Sequence, residues 1–327
     1  DDSSYPGLYC LVSDYFGPHV RGRIYGLLQL TAPTGYLLGM VLALTLRGVV
    51  GWRGVFLITG SLGVLLAVVI FFAVKERPRG SCEPELAELE EIGVHRFEWD
   101  AALDLFRKPS LRLLFVQGFF GVFPWNVITY WFFHYLETER SYDEKAVLLT
   151  MSVAVVMLAA GYPIGGALGD ALFKRTRRGR LIVSTVGVLL GAVFLFVTLN
   201  VPVGNQYRFL ALLSVTAIFI PFASANVVAT VYDVTLPEVR SSALAIQYFI
   251  ESAGAALAPW LAGLIADRAS LQFAILTICI STWVICAVFF VATAALIPGD
   301  IETLRRQLRR RAEGLRTLTQ PSPSVEG

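Results

Sequence analysis

The segment from Leu181 to Tyr207 reads LIVSTVGVLLGAVFLFVTLNVPVGNQY and contains no Asp, Glu, Lys or Arg, although Arg180 and Arg208 stand at its two ends. About 20 helical residues are needed to cross the ~30 Å hydrocarbon core of a bilayer, so the segment is long enough. An open strand could not replace the helix, because each unpaired backbone group in hydrocarbon costs several kcal/mol. The segment therefore predicts a transmembrane helix.

Seven further stretches of similar length share this lack of charge, with Glu251 as the one exception. They are Ile24–Leu46, Gly54–Val74, Leu113–Leu136, Ala146–Gly169, Phe209–Tyr232, Ser241–Ala266 and Ala269–Gly299. The whole chain is 55% hydrophobic and only 16% charged, whereas soluble domains carry about 25% charged residues. The sequence thus predicts an all-α membrane protein with eight complete transmembrane helices.

Net charge and cysteine spacing exclude several other classes. The net charge of +2 provides no overall basic field for nucleic acid. The four cysteines, Cys10, Cys82, Cys279 and Cys286, form no C-x-x-C pair and no regular spacing. This distribution argues against a disulfide framework and against a zinc site. We expect neither a metal nor a cofactor.

The positive residues predict how the helices are oriented. Of the 27 Lys and Arg residues, 21 lie in one alternating set of connections and in the tail from residue 300. Connections on the cytoplasmic side carry such an excess, so this set, and with it the C-terminus, is predicted to be cytoplasmic.

The same pattern divides the chain into four regions: residues 1–74 with the first spans, a cytoplasmic central loop at 75–112, a helical half at 113–297, and a tail at 298–327. In the loop, Leu86, Leu89 and Ile92 repeat at helical spacing. In the tail, Ile301, Leu304 and Leu308 form an apolar stripe surrounded by arginines. Such a basic amphipathic helix can rest on anionic headgroups. A merely solvated charged helix is the alternative.

An internal repeat relates the beginning and the end of the chain. One constant shift along the sequence aligns Asp14 with Asp233 and Arg21 with Arg240, together with neighbouring Pro and Val residues. A shift that preserves membrane direction is typical of parallel repeats in two-halved transporters. The first residue then corresponds to Ile220, midway along a span. We therefore expect the chain to begin inside a helix, as helices 4–12 of a six-plus-six arrangement, with half of one helix before the eight complete ones.

Three motifs resemble the major facilitator superfamily over essentially the whole chain: DYFGPHVRGR at 14–23, GGALGD at 165–170 with basic residues after it, and PEVRSSA at 237–243. Ala171 departs from the pattern, since the family often has Arg there. Ser4-Tyr5-Pro6 before Ser13-Asp14-Tyr15-Phe16 resembles the spinster-type branch, whose members move lysolipids and sphingolipid-like molecules. The resemblance implies a helical bundle in which helices 4, 7 and 10 line a cavity and helices 6, 9 and 12 face lipid.

Glu251 is the carboxylate that lies inside a predicted span, eleven residues into Ser241–Ala266. A charge at this depth is costly, so an intramembrane acid is a functional hypothesis by default. Desolvation favours its protonated form, and Glu251 is therefore a candidate for coupling a proton gradient to transport. A structural Glu that is hydrogen-bonded to neighbouring helices is the alternative.

A second set of candidates is charged and cytoplasmic. Asp170, with Lys174 and Arg175 after it, is predicted to form a latch that stabilises one closed conformation. By the repeat, Asp14 with Arg21 and Asp233 with Arg240 are further candidate pairs at the same membrane face. Simple positive-inside anchoring would also explain most of the arginines.

The third set consists of polar and aromatic residues inside spans, where such groups normally face the bundle interior. The candidates for contact with a substrate are Gln117, Trp125, Asn126, Tyr130, Asn226 and Gln247. Pro124 is predicted to kink its span. Hydrogen bonds between helices are an equally good explanation of the two asparagines.

Taken together, these features favour a secondary transporter that moves a small organic or amphiphilic, lipid-like solute by alternating access, with H⁺ as a candidate coupling ion. The sequence lacks the H-E-x-x-H, G-x-S-x-G and G-x-x-x-x-G-K-[ST] motifs of common enzyme classes. A receptor or scaffold that kept the fold and lost transport is the remaining alternative. We expect a monomer in the plasma membrane that has no nucleic-acid partner.

Overall fold

The computed structural model describes residues 5–74, 82–84 and 104–319, and in this part of the chain all regular structure is helical. Two 3₁₀ turns occupy Asp104–Arg107 and Pro237–Val239. The α-helices are α1 Tyr5–Tyr15, α2 Arg21–Gln29, α3 Thr31–Ala73, α4 Pro109–Gly121, α5 Phe123–Thr138, α6 Glu144–Phe173, α7 Gly179–Leu199, α8 Gln206–Phe219, α9 Phe222–Val234, α10 Arg240–Ala266 and α11 Leu271–Thr319.

Seven helical segments in the described part of the chain are long and apolar enough to cross a bilayer. They are Gly48–Ala73, Pro109–Thr138, Glu144–Phe173, Gly179–Leu199, Gln206–Val234, Pro237–Ala266 and Leu271–Glu313. Two of them consist of two helices each, since α4 meets α5 beside Pro124 and α8 meets α9 beside Pro221. Proline lacks the N–H that would continue the helical bonding, which explains both breaks.

The first predicted span, Ile24–Leu46, is shared between α2 and the beginning of α3, which are separated at Leu30. The connection predicted between this span and Gly54–Val74 is reduced to one non-helical residue, Gly51. Gly51 has φ 69° and ψ 169°, a backbone conformation that glycine adopts without steric cost. The chain is helical on both sides of Gly51, so α3 bends there instead of entering a loop.

Helices α4 to α11 form the main bundle, and α2 packs against α6 and α9. The contact between α2 and α6 is close because glycines face each other. A Cβ on Gly26 would lie 2.5 Å from the Tyr162 carbonyl oxygen, and one on Gly166 would lie 2.0 Å from the Gly22 carbonyl oxygen. Small residues permit this backbone approach between membrane helices. The crossing joins α2, which belongs to the first repeat, to the half of the chain that contains the second repeat.

Helices 6, 9 and 12, which are expected to face lipid, correspond to the segment Gly48–Ala73, to α7 and to α11. These three differ in how much of their surface is exposed. The segment Gly48–Ala73 buries none of its most apolar window, as expected for a surface in contact with lipid. In contrast, α7 exposes only one stripe at helical spacing, which includes Ile182, Val186, Leu189 and Val193, and buries the opposite face. Helix α11 is similar. Both therefore also contribute to the bundle interior.

The tail packs on the protein itself. Beyond Pro298, α11 continues to Thr319, and Ile301, Leu304 and Leu308 are almost fully buried. Leu304 and Leu308 pack with Leu236 in the turn between α9 and α10. This corrects the expectation that the stripe rests on lipid headgroups, because the protein offers it a closer apolar surface. The predicted helix around Leu86, Leu89 and Ile92 lies outside the described residues.

Candidate functional site

Six charged side chains meet where α2, α6, α7, α9 and α10 begin or end, and we call them the charged cluster. They are Arg21, Glu83, Asp170, Arg180, Asp233 and Arg240. All six are buried: Asp233, the most accessible of them, is only 8% exposed, and Arg240 is completely buried. Four of the six are predicted from the sequence as latch residues, whereas Glu83 and Arg180 are not.

Glu83 joins the two sequence repeats. Its Oε1 accepts hydrogen bonds from the Nη2 atoms of both Arg21, at 2.6 Å, and Arg240. The same Nη2 of Arg21 contacts the Ser13 carbonyl oxygen at 3.4 Å, and that of Arg240 contacts the Tyr232 carbonyl oxygen at 3.2 Å. Ser13 and Tyr232 occupy equivalent positions in the two repeats. The two arginines therefore share these two contacts, and one carboxylate from the central loop lies between them.

The electrostatics of Glu83 follow from these contacts. Burial by itself raises the pKa of the Glu83 carboxyl, but the charges of Arg240 and Arg21, with the hydrogen bonds that they donate, more than offset it. The net result is a pKa lowered from 4.5 to about 2. Glu83 is therefore ionised at every physiological pH.

Asp170 holds the beginning of α2. Its Oδ1 accepts from the Gly22 backbone N–H at 3.1 Å, and its Oδ2 accepts from the Arg23 backbone N–H at 2.7 Å. These N–H groups lie in the first helical turn, where no intrahelical partner exists and where negative charge is stabilised. Arg180 Nη2 donates to Asp170 Oδ1 at 2.8 Å. The carboxylate thus ties α6 to α2 and to the first turn of α7.

The observed ion pairs differ from the predicted ones. Asp233 accepts from Arg180 and lies 3.7 Å from Arg21 Nη1, whereas Arg240 is bound to Glu83. The predicted pairs, Asp14–Arg21 and Asp233–Arg240, lie within single repeats. In the structure, Arg21 and Arg240 instead share Glu83, whereas Asp233 pairs with Arg180 of the same half of the chain.

The remaining predicted latch residues lie outside the charged cluster. Lys174 and Arg175 are exposed in the connection between α6 and α7, and the cation that contacts Asp170 is Arg180. Asp14 is buried, and its backbone carbonyl oxygen accepts from Cys82 Sγ at 3.1 Å. The basic run therefore contributes one buried cation, the last of its five, at the start of the next helix.

A cavity of about 250 Å³ lies between the repeats, bordered by α2 on one side and by helices of the main bundle on the other. Four predicted candidates line it: Gln117, Trp125, Gln247 and Glu251. Gln29 of α2 and Tyr162 of α6 also line it and were not predicted. Their participation follows from the α2–α6 crossing, which has no signature in the sequence.

Gln247 and Glu251 act as a pair on α10. Gln247 Nε2 donates to Glu251 Oε1 at 2.7 Å, one helical turn away, and contacts the Leu114 carbonyl oxygen at 3.5 Å. Gly118 on α4 makes room for this amide, since a Cβ there would lie 1.9 Å from Gln247 Nε2. The half-buried Glu251 is therefore held in a defined position at the cavity wall.

The other three candidates do not line the cavity. Asn226 Nδ2 donates to the carbonyl oxygens of Gly165 at 2.9 Å and Phe222 at 2.8 Å, which joins α6 to α9. Asn126 Nδ2 donates to a carbonyl oxygen of its own helix. Tyr130 is 68% exposed. Hydrogen bonding between or within helices accounts for both asparagines.

Within the described residues, no group of three His, Cys, Asp or Glu side chains could hold a metal ion. The four cysteines are not paired, and Cys10, Cys279 and Cys286 are buried. The chemistry of the site is thus that of buried ion pairs at one end and of amides, aromatic rings and one carboxylate in the cavity.

Comparisons with known proteins agree with this architecture. The family model of the Major Facilitator Superfamily matches residues 3–206, more than half of the chain. The chain is 26% identical over 271 residues to the probable L-galactonate transporter of Escherichia coli, covering 79% of the chain and 58% of that protein. It is also 26% identical over 342 residues to protein spinster homolog 1 of Bos taurus, covering 95% of the chain and 63% of that protein.

A solved structure is similar as well. It is the crystal structure of a bacterial homolog of the human lysosomal transporter Spinster, at 16% identity and a TM-score of 0.44, covering 90% of the chain and 73% of that structure. The chain spans about three fifths of the length of the two curated relatives. The expected resemblance to spinster-type proteins is confirmed. The chain is a multi-pass integral membrane protein and belongs to the major facilitator superfamily, a family of transporters and not of enzymes.

Proposed function

We propose that the protein is a secondary active transporter that moves a small organic or amphiphilic, lipid-like solute by alternating access. In this proposal the cavity holds the solute and the charged cluster is the cytoplasmic gate. The observation that carries it is the position of Glu83, which binds one arginine from each repeat. A single contact of this kind closes the path between the repeats when it is made and opens it when it is broken.

The energetics suit a gate. Each of the buried charges has an opposite charge close by, and removing one partner of a buried ion pair costs about 3–5 kcal/mol because the other charge is left uncompensated. Opening the cluster to water replaces the lost contacts with hydration. The closed and open states can therefore be similar in free energy, as a transport cycle requires.

Glu251 is proposed to couple transport to protons. It is a carboxylate at the cavity wall, bound to a neutral amide. A negative charge inside a span is costly, and uptake of a proton removes that charge. Protonation would weaken the hydrogen bond that Gln247 donates to Glu251 and so alter the cavity.

The test of the proposal is solute flux by the full-length protein in proteoliposomes under an imposed pH gradient. We expect concentrative uptake that the gradient drives, and Glu251→Gln should abolish the coupling while passive exchange continues. Full proton-driven uptake by Glu251→Gln would refute the coupling role. A scaffold would move no solute at all, so absence of flux would favour that alternative.

The surroundings of the protein are part of the proposal. The distribution of Lys and Arg supports a cytoplasmic location for the charged cluster and the C-terminus. We propose that the protein acts as a monomer in the plasma membrane. Imaging of a tagged full-length protein and labelling of single cysteines from either side would test the membrane and the orientation.

A further inference from the structure

We propose that Arg21 and Arg240 form a binding site for a phosphate-type oxyanion, and that Glu83 is the tethered occupant of this site in the closed state. Inorganic phosphate, or the phosphate headgroup of an anionic lipid, takes the place of the Glu83 carboxylate when the gate is open. The inference rests on the proposed function in one respect, since it takes the charged cluster as the gate.

The two guanidinium groups use only part of their capacity to donate hydrogen bonds. Arg21 is 1% exposed and Arg240 is completely buried, and the Nη2 atoms of both donate to one acceptor, Glu83 Oε1. Within the described part of the chain, Nε and Nη1 of both arginines have no hydrogen-bond partner. A buried donor without an acceptor is costly, and a ligand that supplies the acceptor recovers that cost.

The positions of the unused donors fit an oxyanion that has more oxygens than a carboxylate. Arginine binds oxyanions through pairs of adjacent N–H groups, and Nη2 forms such a pair with Nε on one side and with Nη1 on the other. Because Glu83 presents a single oxygen to both Nη2 atoms, the second donor of each pair is left over. A tetrahedral phosphate directs oxygens to several sides and so can complete a pair on each arginine.

The charge balance of the cluster depends on Glu83. Arg180 pairs with both aspartates of the cluster, and Asp233 also lies 3.7 Å from Arg21 Nη1. Glu83 is the one carboxylate that contacts Arg240 within the described residues. When Glu83 withdraws, three guanidinium groups and two carboxylates remain. A buried cation without a counter-ion is costly, so the open state favours binding of an anion.

Helix ends add to the positive potential at this place. Arg21 and Arg240 are the first residues of α2 and α10, and the N-terminal end of a helix attracts negative charge. Asp170 accepts from the first backbone N–H groups of α2, whereas no side chain among the described residues caps α10. An anion held by both arginines therefore also lies near the N-terminus of α10.

Chemical rescue of Glu83→Ala tests the inference in the full-length protein in detergent micelles. This variant removes the carboxylate and leaves space for an anion, so inorganic phosphate at low millimolar concentration should raise its melting temperature in a saturable way. Wild type should need about tenfold more phosphate, because phosphate binds only those molecules from which Glu83 has withdrawn.

The matched control is Glu302→Ala, in which an exposed carboxylate that also pairs with arginines is removed. Phosphate stabilises many proteins because it is excluded from their surfaces, and this general effect is the same in the control and in Glu83→Ala. Glu302→Ala should therefore respond to phosphate as wild type does.

Two double variants connect the rescue to the arginines. Glu83→Ala with Arg240→Met removes one charge of each sign, so the cluster stays neutral, and rescue by phosphate should be lost. Glu83→Ala with Arg240→Lys keeps the charge but removes the paired N–H groups, and it should bind phosphate severalfold more weakly than Glu83→Ala alone. If the methionine variant does not fold, the lysine variant decides.

A second probe separates the two sources of the phosphate group. Dioctanoyl phosphatidic acid carries the group into the micelle, whereas inorganic phosphate reaches the cluster from water. Rescue by the lipid alone identifies a headgroup site, and rescue by inorganic phosphate alone identifies a site for a soluble anion. Rescue by both shows that the site recognises the phosphate group itself.

Three results would overturn the inference: no rescue by either probe, an equal response of Glu83→Ala and Glu302→Ala, or a rescue that survives Arg240→Met. None of them refutes transport, which solute flux tests independently. Saturable rescue without any flux in proteoliposomes would instead refute the transport function and leave the anion site in place.

Discussion

At the scale of single residues, Glu83 is the group on which the proposed gate depends most. It is buried, and it is the carboxylate that contacts both Arg21 and Arg240. Glu83→Gln keeps the shape but leaves two buried guanidinium groups with less compensation. We expect the free energy of unfolding in detergent to fall by about 3 kcal/mol, and cytoplasmic access to the cavity to increase. Thermal unfolding and thiol labelling would measure these effects.

The matched control for this variant is Glu302→Gln. Glu302 also forms ion pairs, with Arg177 and Arg306, but its side chain is 58% exposed. Exposed pairs contribute little to stability. An equal loss of stability in both variants would contradict the role of Glu83.

The pH dependence of Glu83 has a definite sign. Its folded pKa is about 2, below its ordinary value of 4.5. A lowered pKa stabilises the folded state above pH 4.5, and this contribution is lost as the pH falls toward 2. Between about pH 5 and 8 the difference in stability between wild type and Glu83→Gln should therefore stay constant. A difference that changes within that range, measured by unfolding at several pH values, would contradict the assignment.

Gly118 provides a test of the cavity wall that leaves the bundle intact. A Cβ on Gly118 would meet the far end of the Gln247 side chain, which can rotate away, and alanine stabilises a helix by about 0.5–1 kcal/mol relative to glycine. Gly118→Ala should thus change stability by less than ~1 kcal/mol while reducing solute affinity severalfold. Gly60→Ala, where nothing lies within 4 Å, should leave solute affinity unchanged and gain about 0.5–1 kcal/mol of stability. Unchanged affinity in Gly118→Ala would show that Gln247 has no role in binding.

The type of a residue is not enough to tell whether it lines the cavity or packs between helices. Gln247 and Asn226 are both buried amides inside spans, yet one lines the cavity and the other joins two helices. The distinction depends on how each helix is rotated, which neighbouring backbones determine. Glu83 was not identified because its partners lie 62 and 157 residues away.

At the scale of elements, the α2–α6 crossing positions the beginning of α2, and with it Arg21 of the charged cluster. Because a Cβ on Gly26 would lie 2.5 Å from a backbone oxygen, the helices would have to separate to admit one. Gly26→Ala should therefore destabilise the protein by about 1–3 kcal/mol. Gly35→Ala, on α3 with nothing within 4 Å, serves as the control in the same unfolding measurement. Equal stability of the two variants would contradict the close crossing.

Hydropathy and charge correctly located the seven membrane-spanning segments from Gly48–Ala73 to Leu271–Glu313, since spans depend on composition over about 20 residues. The boundaries within them were less predictable. Helix α3 continues through the predicted connection because one glycine suffices for the bend. The tail stripe is covered by Leu236 of the α9–α10 turn, a contact between distant parts of the chain that local periodicity does not encode.

At the scale of the whole molecule, the internal repeat correctly indicated two equivalent arginines, Arg21 and Arg240. What it did not indicate is that Arg21 and Arg240 pair with a shared carboxylate, Glu83, instead of with an aspartate of their own repeat. Pairs within a repeat would move as one body with it, whereas Arg21–Glu83–Arg240 must break if the repeats separate. The arrangement is therefore suited to a gate, and family membership is consistent with this role.

The most direct test of the gate measures the distance between spin labels on α2 and on the α6–α7 connection in the full-length protein in lipid nanodiscs. Arg23→Cys and Arg178→Cys place the labels at exposed positions on either side of the charged cluster. We expect two distance populations, with the longer one increased by Glu83→Gln and unchanged by Glu302→Gln. A single distance that is identical in all three proteins would contradict the proposed gate.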